Sequence, residues 1–127
     1  MQNNNIYFTT SKQRKMVLDI LQNTKEHPTA EMIYGFARQH KLKISLATIY
    51  KNLKELVAEG KVVTLETEDT KIHYDADVSN HAHFICFSCG KIYDIYDVEK
   101  EPKGLSEVAG RVEKQKRVYY GDCKQCL

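Results

Sequence analysis

Asn80-His81-Ala82-His83-Phe84-Ile85-Cys86-Phe87-Ser88-Cys89-Gly90 sets two histidines at alternate positions directly ahead of a Cys-x-x-Cys pair. The only other cysteines lie in Gly121-Asp122-Cys123-Lys124-Gln125-Cys126-Leu127 and repeat that spacing. Four cysteines in two such pairs can supply a complete tetrahedral thiolate shell, the closed arrangement of a structural zinc site. A disulfide scaffold and unrelated buried thiols are the competing readings, and paired Cys-x-x-Cys without a secretory signal counts against both. The stretch between the pairs is longer than in a compact zinc ribbon, which predicts secondary structure within it.

Parity separates the histidines from the thiols. In a strand over residues 81–86, His81, His83 and Ile85 face one side while Ala82, Phe84 and Cys86 face the other. The Phe87-Ser88-Cys89-Gly90 knuckle should then reverse the chain into Lys91-Ile92-Tyr93-Asp94-Ile95, and a tight hairpin there brings the Asp94 carboxylate beside His83. A mixed imidazole and carboxylate shell suits divalent iron or manganese as well as zinc. Two metal sites of different character are expected on this one peptide.

Composition sets the frame. The 127 residues are 42% hydrophobic and 28% charged, as in an ordinary soluble globular protein. No apolar run is long enough to span a membrane, and Met1-Gln2-Asn3-Asn4-Asn5 resembles no export signal. A reducing cytoplasm is the expected location, where paired cysteines bind metal more often than they form disulfides. A net charge of +2 is too small to diagnose a polyanion partner by itself, so charge placement must carry that argument.

The first helix is expected from Thr10, with a Thr10/Gln13 capping box and an apolar stripe of Met16, Val17, Ile20 and Leu21. Lys12, Arg14 and Lys15 form its basic N-terminal end, which reads equally as a solvated face or as phosphate contacts. Pro28 breaks the chain, and Thr29 caps a second helix carrying Ala30, Ile33, Tyr34 and Ala37. Ser45 caps a third, Leu46 to about Ala58, stopped by Gly60. Ile49, Leu53, Leu56 and Val57 take its apolar side. Thr48, Tyr50, Lys51, Asn52 and Lys54 are assigned to the other, a mixture suited to base edges and phosphates in a major groove. Residues 61–67 and 71–75 alternate around a Glu68-Asp69-Thr70 turn, a hairpin. Three short helices and a β-wing make a winged helix-turn-helix; an unspecialised helical domain is the alternative.

Residues 76–80 read as a hinge, dividing a winged-helix domain (1–75) from a zinc-binding domain (81–127). In the latter, Ile92 to Tyr96 continues a sheet, Leu105, Val108 and Ala109 suggest a short helix, and Arg111 to Tyr120 a last strand. Each half holds roughly sixty residues, few for an independent core. Bound zinc, worth about 10–16 kcal/mol in small zinc peptides, or a dimer interface can supply the difference.

His27-Pro28-Thr29-Ala30-Glu31-Met32-Ile33-Tyr34, then Ser45-Leu46-Ala47-Thr48-Ile49-Tyr50-Lys51-Asn52-Leu53, then His81-Ala82-His83 running into the Cys-x-x-Cys pairs, resemble the ferric uptake regulator superfamily. The resemblance runs from about Thr10 to Cys126. It implies an α+β protein: an N-terminal winged helix-turn-helix followed by a small α/β dimerisation domain with a four-cysteine zinc site. It implies a homodimeric, metal-activated repressor on a pseudo-palindromic double-stranded DNA operator. Structural zinc falls on Cys86, Cys89, Cys123 and Cys126, and the regulatory iron or manganese on His27, Asp75, His81, His83 and Asp94. The DNA contacts fall on Lys12, Arg14, Thr48, Tyr50, Lys51 and Lys54. Phe8-Thr9-Thr10 lacks the basic residue that relatives often carry there, and Lys12 stands nearest to replace it.

Aspartate at both carboxylate positions resembles the peroxide-sensing branch, in which bound ferrous iron reacts with peroxide and ligand histidines, by position His27 and His81, are oxidised. An iron-dependent repressor that ignores peroxide is the near alternative. An enzyme is not expected: zinc deaminases place a glutamate two residues after the metal ligand and a proline before the cysteine pair, where His83 and Ile85 stand here. A bare zinc-ribbon module would leave the winged helix unexplained.

Overall fold

The computed structural model describes residues 10–67, 70–96, 98, 101–113 and 115–127, with Thr10 and Ser11 described by backbone only. Phe8-Thr9, the Thr10 side of the capping box, and Glu68-Asp69 at the wing turn therefore lie outside the described residues. The chain forms two units, Met1–Val78 and Ser79–Leu127.

The first unit runs α1 (Thr10–Gln22), α2 (Ala30–Gln39), α3 (Leu46–Ala58), β1 (Val63–Glu66) and β2 (Ile72–Asp75). Side-chain oxygens start two of the helices as the sequence predicts: Thr29 accepts from Met32 N at 3.2 Å and Ser45 from Thr48 N at 3.1 Å. Glu59 is the C-cap of α3 and Gly60, at φ +75°, the residue beyond it. Gly60 N bonds to Val57 O and Lys61 N to Leu56 O, both at 3.0 Å, the paired bonds of a Schellman stop. Helix α2 ends the same way with Lys41 at φ +56°, where glycine would be unstrained.

The core of this unit gathers Val17 and Leu21 from α1, Ile33 from α2, Ile49, Leu53 and Leu56 from α3, then Val62 and Tyr74. Each such aliphatic side chain removed from water contributes roughly 1.5–3 kcal/mol. One expectation fails here. Asn52, assigned to the polar face of α3, is 0% exposed. Its position follows from spacing, because 49, 52, 53 and 56 are the i, i+3, i+4, i+7 set that faces the core. Periodicity, not side-chain polarity, decides which way this residue faces.

The wing is an antiparallel hairpin with Val63 opposite Asp75 and Glu66 opposite Ile72. It extends onto the segment before α2, since Tyr74 N donates to Pro28 O at 2.9 Å.

The second unit runs β3 (Ala82–Cys86), β4 (Ile92–Ile95), α4 (Leu105–Val108) and β5 (Val118–Gly121). Its sheet order is β4-β3-β5, with β3 antiparallel to β4 and parallel to β5. The last strand is shorter than the Arg111–Tyr120 expected. Strand β3 has five residues, and pairing runs only from His83↔Val118 to Cys86↔Gly121, so the exposed Arg111 to Glu113 have no partner strand among the described residues. This register puts the Cys86 knuckle beside the chain that leads to Cys123.

Candidate metal centres and nucleic-acid face

The four cysteine sulfurs all lie within 4.8 Å of one another. Four thiolates at about 2.3 Å from one zinc ion stand about 3.8 Å apart. Cys89 Sγ and Cys123 Sγ are 3.9 Å apart, so the donor set fits that ion. The knuckles are built to hold thiolate: Cys86 Sγ accepts from Cys123 N at 3.3 Å and Cys89 N at 3.4 Å. Those amides, Cys123 first, bring the Cys86 thiol down to about 6. Cys123 is also lowered, chiefly by a hydrogen bond with Tyr93, whereas Cys126 is pushed up to about 12, chiefly by its hydrogen bond with Cys123. Sulfurs this crowded cannot all ionise unaided; a dication removes the conflict. Ser88 Oγ donates to Asp122 Oδ1 at 2.6 Å and ties one knuckle to the other.

On the opposite parity of β3, His83 pairs with Asp94 across the β3–β4 hairpin. His83 Nε2 is 3.2 Å from Asp94 Oδ1, His81 Nε2 is 3.5 Å from the same oxygen, and the two Nε2 atoms are 3.1 Å apart. His81 Nδ1 donates to Ser79 O at 2.9 Å, which leaves the lone pair on Nε2 and aims it inward. Cis ligands at about 2.1 Å from an octahedral ion stand about 3.0 Å apart, close to these separations. Both rings are buried. Two imidazole nitrogens and a carboxylate oxygen converging in a buried place form a donor set that a divalent cation satisfies.

In the first unit, His27 Nε2 and Asp75 Oδ2 approach to 3.4 Å. His27 is buried and its backbone is left-handed, φ +53°. His73, to which the sequence reading gave no role, donates from Nδ1 to His27 O at 2.6 Å. The signal for it was parity: in the alternating strand Ile72 to Asp75, His73 shares a face with Asp75.

The expected DNA contacts divide by geometry. Tyr50, Lys51 and Lys54 are exposed on α3, Lys12 is exposed on α1, and Thr48 Oγ1 lies 2.8 Å from the capping Ser45 Oγ. The Tyr50 hydroxyl donates to the Glu31 carboxylate on α2, which lowers the Glu31 pKa and raises that of Tyr50. Arg14 is engaged inside the unit, 2.6 Å from Glu59 and 3.6 Å from Glu55, and so ties α1 to α3. Among the described residues no helix is long and apolar enough to cross a membrane.

A winged helix-turn-helix followed by a small mixed sheet carrying a four-cysteine cluster that fits zinc defines a metal-binding regulator of the winged-helix class. The chain belongs to the ferric uptake regulator family, whose profile matches residues 7–119. It is 33% identical to the Peroxide operon regulator of Bacillus subtilis, over 90% of this chain and 81% of that protein. It is 34% identical to the Peroxide-responsive repressor PerR of Staphylococcus aureus, over 90% of this chain and 79% of that one. Among solved structures, a Campylobacter jejuni peroxide stress regulator superposes with a TM-score of 0.76 at 32% identity, covering 92% of this chain and 90% of that one. The Helicobacter pylori ferric uptake regulator, described as having three functional metal-binding sites, also gives 0.76, at 28% identity and 91% and 82% coverage.

Proposed function

We propose that this protein is a metal-dependent, DNA-binding transcriptional repressor that senses peroxide through oxidation of its own histidine ligands. The observation that carries this reading is the convergence of His81, His83 and Asp94 on one buried point, on a chain whose relatives include peroxide regulators. The regulatory ion, Fe2+ or Mn2+, draws on His27 and Asp75 from the first unit and His81, His83 and Asp94 from the second. Structural Zn2+ is held by Cys86, Cys89, Cys123 and Cys126. In the domain assignment, residues 1–75 bind DNA, 76–80 act as hinge and 81–127 dimerise. Exposed Phe87, Val108, Tyr119 and Tyr120 in the second unit support its use as a homodimer interface. The setting is cytoplasmic.

The residues divide the work. His81 is fixed by its bond to the Ser79 carbonyl and presents Nε2 without reorientation. Asp94 neutralises part of the dication's charge beside it. Lys51, Lys54 and Lys12 neutralise phosphates on a pseudo-palindromic operator, Tyr50 and Thr48 meet base edges, and Arg14 keeps α1 against α3 beneath that face. Ferrous iron, when bound, would lend one electron to open the peroxide O–O bond and recover it. In the net step an imidazole ring loses two electrons and gains one peroxide oxygen, while the other leaves as water. His27 and His81 are the rings assigned to take up oxygen, and an oxidised imidazole is a poorer donor. Loss of the ion then removes the ligand whose preference for the DNA-binding conformation kept the repressor on its operator.

The test loads the zinc protein with Fe2+ or Mn2+ on operator DNA and adds peroxide briefly. Expected are DNA release and a gain of one oxygen on peptides holding His27 or His81, in the iron form only. Release without that modification refutes the histidine chemistry. Retention of DNA by the iron form makes the protein an iron-responsive repressor of metal uptake.

A further inference from the structure

Three consecutive residues of β2 engage the two residues that precede Thr29, the N-cap of α2. His73 Nδ1 lies 2.6 Å from His27 O, Tyr74 N lies 2.9 Å from Pro28 O, and Asp75 Oδ2 lies 3.4 Å from His27 Nε2. The carbonyl can only accept, so His73 carries its proton on Nδ1. Between these contacts the His27 backbone sits at φ +53°, a region that costs a β-carbon-bearing residue and persists only where its surroundings enforce it. Proline at the next position also keeps His27 out of the right-handed helical region, so a relaxed backbone at this point would be extended. An extended His27 would send its ring in another direction.

The geometry points to His73 as a positioning residue for the regulatory metal site: it grips the His27 carbonyl and holds the strained turn that aims the His27 imidazole toward Asp75. This inference rests on His27 being a regulatory-metal ligand. His73 need not touch the ion. Its action is through the backbone of its neighbour, in the way that groups around a metal site orient the ligands themselves. It also links the wing to that ligand, so a wing displaced on DNA would tug on His27 and the converse.

The experiment measures Mn2+ affinity by calorimetry on the full-length, zinc-loaded protein, alongside the melting temperature before manganese is added. His73→Gln keeps a side-chain N–H donor, His73→Phe keeps an aromatic ring without one, and His73→Ala removes both. Losing an orienting group of this kind weakens metal binding about 10–100-fold. His73→Phe and His73→Ala are expected to weaken Mn2+ by that factor, and His73→Gln to recover most of it, with zinc content unchanged. If all three lower the melting temperature equally and leave the Mn2+ dissociation constant at the wild-type value, His73 is only a packing residue and the inference is overturned. His27→Ala is the control: unchanged manganese affinity there overturns the ligand assignment itself, whereas loss there combined with wild-type affinity in His73→Phe overturns the positioning role alone. Should His73→Ala fail to fold, the Gln and Phe pair decides.

Discussion

Asn52→Leu should make this protein more stable. Asn52 is 0% exposed in the middle of α3, and neither its Nδ2 nor its Oδ1 meets a hydrogen-bond partner among the described residues. A buried amide left in that state costs about 1–3 kcal/mol relative to a satisfied or absent one. Leucine has the same branched skeleton with methyl groups in place of the amide nitrogen and oxygen, so the shape is kept while the volume rises. The somewhat larger methyls offset part of the gain, since overpacking a tight core costs about 1–3 kcal/mol in the worse cases. The neighbours Ile49, Leu53 and Leu56 are themselves fully buried and apolar, which favours the leucine. A net gain of about 1–2 kcal/mol follows, the upper part of the desolvation cost less a modest strain. Urea unfolding of the zinc-loaded protein, followed by helix circular dichroism, should show the midpoint rising by roughly 0.5–1 M at unchanged slope. A midpoint that falls, again at unchanged slope, refutes the reasoning, because it means that satisfied amide bonds or overpacking by the leucine outweigh the desolvation removed.

Further outcomes are expected elsewhere in the chain. Lys54→Ala should weaken operator binding and lower the salt dependence of the logarithm of affinity by about one counterion; an unchanged slope in a salt titration removes Lys54 from the phosphate contacts. Cys86→Ser should abolish zinc retention and the fold of the second unit, read as zinc content by metal analysis and as amide dispersion of residues 82–121 by NMR. A zinc-free variant with a wild-type spectrum would contradict a structural role. Lys41→Gly should stabilise the protein by roughly 0.5–1 kcal/mol, because glycine accepts the left-handed end of α2 without strain and gives back part of that gain as unfolded-chain entropy; a lower melting temperature counts against it.

What could be read from the chain beforehand was whatever depends on local chemistry. Thr29 and Ser45 declare helix starts because a side-chain oxygen one position ahead of an apolar repeat has few other uses, and both cap as expected. Alternation in residues 81–86 separated an imidazole side from a thiol side, and the hairpin register puts Asp94 opposite His83. The features that were hidden depend on partners remote in sequence. Arg14 reads as a basic surface residue until Glu55 and Glu59 of α3 come against it, and Glu31 reads as an ordinary first-turn acid until Tyr50 reaches it. The short β5 follows from the length of its neighbour and not from its own composition. His73 was legible in principle by its parity with Asp75, but its target is a carbonyl, which no side-chain pattern reveals.

The parallel pairing of β3 with β5 has a consequence for how the second unit is assembled. The β3–β4 hairpin turns through Gly90 and can close locally, whereas Cys123 N reaches Cys86 Sγ only across 37 positions of chain. Hairpins form in microseconds, and a long closure comes later and at an entropic cost. During that delay the hairpin shows an unpaired strand edge carrying Phe84 and His83, an open template for another nascent chain. Zinc captured first by Cys86 and Cys89 would recruit Cys123 and Cys126 and draw β5 onto that edge. Protein made without zinc is therefore expected to collect as aggregate in place of folding, a fraction that zinc supplied during synthesis should reduce.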